Sequence, residues 1–143
     1  MQTESRVNLL RALCEQFGVA TLYVFGSRSD EARRWLASGN VALGSSASDL
    51  DVGVLPLRGR LEPPKERVRL ANALEDLFAV RRVDLVLLPQ ADSFLAANVI
   101  RGERLYAVDP ARADEYELFI LARAGELVQW ERERQALILA RPR

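Results

Sequence analysis

Two aspartates lie one residue apart at the start of an apolar run, in the stretch "DLDVGVLP" that begins at Asp49. Alternate residues of a β-strand point to opposite faces, so Asp49 and Asp51 share one face while the aliphatic residues share the other. Their Cα atoms would be about 6.5–7 Å apart. Unpaired carboxylates this close on a buried sheet repel each other and lose their hydration. Because a divalent cation removes both penalties, the pair predicts metal ligands on a strand.

A third carboxylate in similar surroundings is Asp84, in the apolar stretch "VDLVLL". On a neighbouring strand it would complete a site for two ions, which lie about 3.5–4 Å apart in two-metal sites. Carboxylate oxygens suit hard cations such as Mg²⁺ or Mn²⁺. The chain has no histidine to act as a general base or as a zinc ligand. The alternative for Asp84 is a cap at the strand start or an ion pair with Arg81 or Arg82.

The pair Gly26-Ser27 directly follows a stretch typical of a buried strand, and a predicted helix begins soon after it. The free N–H groups and positive dipole end of such a helix favour an anion. Glycine lets a phosphate approach the backbone, and the serine hydroxyl adds a hydrogen bond. A second pair, Gly44-Ser45, lies in a loop with no strand before it, so Gly26-Ser27 is preferred. A phosphate site beside metal-binding carboxylates is typical of phosphoryl or nucleotidyl transfer.

Apolar periodicity alternates between helix and strand along the whole chain. We predict an α/β (α+β) fold in which helices cover a small mixed sheet of about three to five strands, as one domain over residues 1–143. Val68 is expected to face the core, and the third strand to be buried on both faces except at Asp84. The predicted helices cover residues 3–17, 30–37, 65–80, 91–102 and 114–140, and the predicted strands cover residues 20–25, 49–56, 81–89 and 104–108.

Composition narrows the setting in which the chain works. Its 20 basic and 20 acidic residues cancel, so no strong bulk affinity for nucleic acid is expected. No apolar segment approaches the roughly 18 residues of a membrane span, and the first residues lack the pattern of an export signal. The single cysteine, Cys14, cannot form an internal disulfide. These features together favour the cytoplasm.

The segments "FGSRSD", "SDLDVGV" and "VDLVLL", in this order, resemble the nucleotidyltransferase superfamily of DNA polymerase β. The small size, with "IRGERLYAVDP" before a long C-terminal helix, is similar to the minimal nucleotidyltransferases (MNT). Those are one-domain bacterial and archaeal proteins, commonly encoded beside a HEPN-type partner as antitoxin and toxin. The resemblance implies the polymerase β-like fold over nearly the whole chain.

The resemblance also implies roles for individual residues. Gly26 and Ser27 would hold the terminal phosphates of a nucleotide. Asp49 and Asp51 would bind two Mg²⁺ or Mn²⁺ ions. Asp84 would share one ion and assist deprotonation of the acceptor hydroxyl.

Two further features bear on this comparison. Arg28 stands where family members often carry a basic residue, so it is expected to contact the nucleotide as well. The spacer between Ser27 and Asp49 is longer than is usual in the family, with the extra part in "WLASGNVALGS". That part would form a lid or an interface, or loop out into solvent.

For function, the resemblance implies transfer of AMP from ATP to a hydroxyl of a partner protein, which silences a HEPN-type toxin. Two alternatives stay open at this point. The acceptor could be a small molecule such as an aminoglycoside, or the chain could be a non-catalytic antitoxin that acts by binding alone. The sequence does not decide between a monomer and a homo- or hetero-oligomer.

Overall fold

The computed structural model describes residues 2–37 and 49–140. Within these ranges the chain forms five helices and four strands. In chain order they are α1 (Gln2–Phe17), β1 (Val19–Phe25), α2 (Ser29–Ala37), β2 (Leu50–Pro56), α3 (Pro64–Phe78), β3 (Val83–Leu87), α4 (Ser93–Ile100), β4 (Glu103–Ala107) and α5 (Pro110–Ala140), with a short 3-10 turn at Leu88–Gln90. The predicted class, a mixed sheet covered by helices with a long C-terminal helix, is confirmed.

The four strands form one sheet in the order β3-β2-β1-β4. β1 is antiparallel to both β2 and β4, and β2 is parallel to β3. The C-terminal end of β1 therefore lies at the same end of the sheet as the N-terminal ends of β2 and β3. This end, where Phe25 is paired with Asp51 and Asp51 with Asp84, carries the polar residues discussed below.

The two faces of the sheet carry separate apolar clusters. On the first face, aliphatic residues of β1 and β2 pack against α1, α2 and α3. On the second face, Tyr23 and Phe25 of β1 pack against α4 and α5. Gly53 of β2 allows close packing on this second face, because a Cβ atom on it would lie 2.3 Å from Val99 Cγ1 of α4. Helix α4 therefore lies almost directly on the strand that carries the aspartates.

Helix α5 is held to the second face by polar contacts as well as by packing. The Tyr23 hydroxyl donates a hydrogen bond to Glu117 Oε2 at 2.8 Å. The Arg104 guanidinium of β4 donates to Asp114 at 2.8 Å and to Glu117 at 2.7 Å. The buried residues of α5 all lie in its first half, and are Ala113, Ile120 and Ala124. The second half projects from the sheet and exposes Leu127, Val128, Trp130, Leu137, Ile138 and Leu139.

The structure corrects the sequence prediction at four places. Val68 is 59% exposed rather than in the core. β3 is an edge strand of the sheet, so Leu85 and Val86 are only half-buried and the strand is not covered on both faces. Helix α5 begins at Pro110 rather than at residue 114, with the Asp109 carboxylate accepting a hydrogen bond from the Arg112 amide. The 3-10 turn after β3 was not predicted.

Among the residues described, no helix combines the length and the apolar character that crossing a bilayer needs.

Candidate active site

The β2–β3 register brings two of the predicted aspartates side by side. Asp51 and Asp84 are direct partners on these parallel strands, so their side chains project from the same face of the sheet. Asp49 lies two residues before Asp51, at the entrance to β2. Asp84 is exposed, while Asp49 and Asp51 are half-buried.

The three carboxylates influence one another electrostatically. The pKa of Asp51 is raised, first because burial disfavours its charged form and then because Asp84 and Asp49 repel it. A nearby positive charge would therefore stabilise the ionised form of Asp51.

Gly26 lies directly against the Asp51 carboxylate. It follows Phe25, the β1 residue paired with Asp51. Its φ is +79°, and a Cβ atom on it would lie 2.5 Å from Asp51 Oδ2. Both the backbone conformation and the space therefore require glycine. The turn that the sequence predicts as a phosphate site is in this way joined to the aspartate strand.

Helix α2 begins immediately after this turn. The Ser29 amide donates to the Gly26 carbonyl at 3.4 Å, which closes the turn. Ser27 is exposed at its tip. Arg28 lies beneath it, only 4% exposed, with Nε 3.8 Å from Glu31 Oε2. Arg28 is thus nearly buried, and its predicted contact with the nucleotide stays a prediction.

Arg82 is a member of this cluster to which the sequence assigned no functional role. Its Nε lies 3.6 Å from Asp49 Oδ2. From the sequence it was only an alternative ion-pair partner for Asp84; the structure places it beside Asp49 instead. The spacing gives a clue, since Arg82 precedes Asp84 by the same two residues that separate Asp49 from Asp51. Only the register of the two strands shows that Arg82 and Asp49 are therefore neighbours.

The donor set of this site fits a hard divalent cation. Three carboxylates supply oxygen ligands, and burial, followed by repulsion from Asp84 and Asp49, raises the pKa of Asp51. Across residues 2–37 and 49–140, no three acidic, histidine or cysteine side chains stand in the arrangement of a formed metal cage. The Asp49 carboxylate lies beside Arg82 instead, with Oδ2 3.6 Å from Nε.

Part of the predicted site lies outside the described residues. The pair Gly44-Ser45 is in that part, as is most of the long spacer before Asp49. The preference for Gly26-Ser27 over Gly44-Ser45 as the phosphate site therefore rests on the position of Gly26 beside Asp51.

Comparison with known proteins follows the same elements. A family model described as "Polymerase beta, Nucleotidyltransferase" matches residues 8–111, from α1 into α5. A comparison with curated protein sequences finds no match.

Solved structures share this fold. A chain of the complex between a tri-AMPylated HEPN toxin and an MNT antitoxin from Shewanella oneidensis is 22% identical, with a TM-score of 0.61, covering 95% of each chain. A toxin–antitoxin structure with AMP-PNP is 24% identical, with a TM-score of 0.62, covering 92% of this chain and 94% of the other. A protein described as a candidate minimal nucleotidyltransferase is 29% identical, with a TM-score of 0.50, covering 69% of this chain and 87% of its own.

Proposed function

We propose that this chain, which belongs to the polymerase beta nucleotidyltransferase family and has its fold, is a metal-dependent enzyme that transfers AMP from ATP to a hydroxyl of a partner protein. The observation that carries the proposal is the position of Asp51, with Asp84 beside it on the next strand and the Gly26 backbone against its carboxylate. This arrangement supports a site in which carboxylates and a phosphate-binding turn share one substrate.

The residues divide the work as follows. The Gly26 backbone leaves room for the terminal phosphates, the exposed Ser27 hydroxyl donates to them, and the first free amides of α2 favour their charge. Asp49, Asp51 and Asp84 would hold two Mg²⁺ or Mn²⁺ ions. When bound, such ions neutralise the triphosphate and activate the attacking oxygen.

In the transfer step, the acceptor oxygen forms a bond to the α-phosphorus while the bond from that phosphorus to the bridging oxygen breaks. Pyrophosphate leaves with the bonding electrons. The proton of the acceptor hydroxyl passes towards Asp84, which is the most exposed of the three aspartates and so the most accessible to an incoming protein.

For the acceptor we propose a HEPN-type toxin, which this chain would neutralise as its antitoxin. Support comes from the solved complex of a HEPN toxin with an MNT antitoxin and from a toxin–antitoxin structure with AMP-PNP, both of which match the chain over nearly its full length. Among the described residues, Asp84 is exposed at the end of the sheet, as a protein acceptor requires. We propose the cytoplasm as the place of this reaction, since its proposed substrate is ATP.

The test is incubation of the purified chain with ATP labelled at the α-phosphate, Mg²⁺ and the product of the adjacent gene. Label should pass to that protein with the wild type and not with Asp51→Asn. In a parallel incubation with an aminoglycoside, label on the drug and not on the protein would identify an enzyme that acts on small molecules. Neutralisation of the toxin by Asp51→Asn as fully as by the wild type, without label, would identify a binding antitoxin.

A further inference from the structure

One basic side chain lies among the candidate metal ligands. The parallel register pairs Leu50 with Val83 and Asp51 with Asp84, so Asp49 and Arg82 occupy matching positions just before the two strands. Arg82 Nε lies 3.6 Å from Asp49 Oδ2. The Arg82 guanidinium therefore lies beside Asp49, the carboxylate that directly precedes β2.

The backbone around Arg82 is fixed independently of its side chain. The Leu50 amide donates to the Arg82 carbonyl at 3.1 Å. The next amide, that of Val83, donates to Glu75 Oε2 of α3 at 2.9 Å. The Arg82 side chain itself is 72% exposed. Because neither hydrogen bond uses the side chain, truncating it should leave the strand pairing intact.

We propose that Arg82 is a positioning residue that holds Asp49 when no divalent cation is bound, and so lowers the affinity of the site for such a cation. The inference rests on the proposed function, since it takes Asp49 as a metal ligand. A cation that uses Asp49 must draw its carboxylate away from the guanidinium and then lie beside the positive charge of Arg82. Both effects oppose binding to the nucleotide-free protein.

The size of the effect follows from the exposure of the pair. Asp49 is 41% exposed and Arg82 72% exposed, so solvent screens their attraction. Exposed ion pairs of this kind correspond to an effect on binding of about two- to five-fold at low salt. The effect should shrink in about 1 M salt, where screening acts within about 3 Å.

The experiment measures Mn²⁺ binding to the full chain without nucleotide, by isothermal titration calorimetry and by the free Mn²⁺ signal in electron paramagnetic resonance. Four proteins are compared: the wild type, Arg82→Ala, Arg82→Lys and Arg81→Ala. Arg81 is the matched control, because it is the exposed neighbouring arginine and its replacement changes the net charge equally. Circular dichroism melting verifies that the variants are folded.

We expect Arg82→Ala to bind Mn²⁺ about two- to five-fold more tightly than the wild type at low salt, and Arg82→Lys and Arg81→Ala to bind like the wild type. The proposed role of Arg82 would be overturned if Arg82→Ala bound Mn²⁺ no more tightly than the wild type, or if Arg81→Ala increased the affinity for Mn²⁺ as much as Arg82→Ala. Neither result would contradict the proposed metal centre. No Mn²⁺ binding by any of the four folded proteins would overturn the metal centre, and the role of Arg82 with it.

Discussion

A Cβ atom placed on Gly26 would lie 2.5 Å from Oδ2 of Asp51. The turn after β1 and the first carboxylate inside β2 are thus in contact, although they are far apart in the sequence. A phosphate bound at the turn and a cation bound at the carboxylate would be neighbours for the same reason. The predictions below start from this contact.

Replacing Gly26 by alanine should push the Asp51 carboxylate out of place. Gly59→Ala is the matched control, because Gly59 has a similar φ of +77° but nothing within 4 Å of an added Cβ atom. Both variants should lose about 1–3 kcal/mol of stability from the strained backbone. Only Gly26→Ala should also lose binding of Mn²⁺ and of an ATP analogue, measured by calorimetry. Equal binding of Mn²⁺ and of the ATP analogue by the two variants would show that Gly26 does not belong to the site.

Asp51→Asn should stabilise the metal-free protein at neutral pH while abolishing activity. The pKa of Asp51 is raised in the folded chain, so its ionised form opposes folding above that pKa. Below the ordinary pKa of aspartate, about 4, Asp51 is protonated in both states and the difference disappears.

The check is thermal unfolding of the wild type and Asp51→Asn in a chelator between about pH 3 and pH 8. The melting temperature of the variant should exceed that of the wild type at pH 7 and approach it at low pH. Added Mn²⁺ should substantially raise the melting temperature of the wild type only, since a ligand stabilises the state that binds it. A less stable variant at pH 7 in chelator would contradict the assignment.

Asp84→Asn should reduce the transfer rate on the order of 10³-fold, because loss of a metal ligand removes several kcal/mol of transition-state stabilisation. Asp92→Asn is a suitable comparison, since Asp92 caps α4 through the Leu95 amide and takes no part in the proposed site. That variant should keep both its stability and its rate, since asparagine caps a helix about as well as aspartate. Steady-state transfer of labelled AMP measures the transfer rates of the two variants. A rate for Asp84→Asn within tenfold of the wild type would remove Asp84 from the reaction.

Gly53→Ala should destabilise the fold by about 1–3 kcal/mol through overpacking, because its Cβ atom would lie 2.3 Å from Val99 Cγ1. Combining it with Val99→Ala should restore part of that loss, since the smaller side chain makes room. A double-mutant cycle by urea unfolding measures the coupling. Simple additivity of the two substitutions would show that α4 does not press on β2 as described.

Much of this fold could be predicted from local patterns. The apolar alternation predicted the strand that carries Asp51, with Asp49 directly before it in the structure, and the helix–strand alternation predicted the architecture. The start of α5 was missed although Asp109 and Pro110 form a recognisable helix-start signal. The prediction for Val68 was wrong because the buried stripe of α3 runs through Leu70, Leu74 and Phe78, and Val68 lies about 200° around the helix from Leu70.

The candidate site needed the long-range pairing. No local pattern says that β2 and β3 are parallel neighbours, so the sequence could name Asp51 and Asp84 but not their register. The partner of Arg82 was open for the same reason: proximity in sequence suggested Asp84, whereas strand pairing places it by Asp49.

The most direct test of the whole account is a crystal structure with Mn²⁺ and a non-hydrolysable ATP analogue, using the anomalous signal of manganese. The account predicts an anomalous peak about 2.1 Å from carboxylate oxygens of both Asp51 and Asp84, with the phosphates against the backbone of Gly26 and Ser27. A nucleotide bound elsewhere, or manganese that contacts neither aspartate, would contradict it.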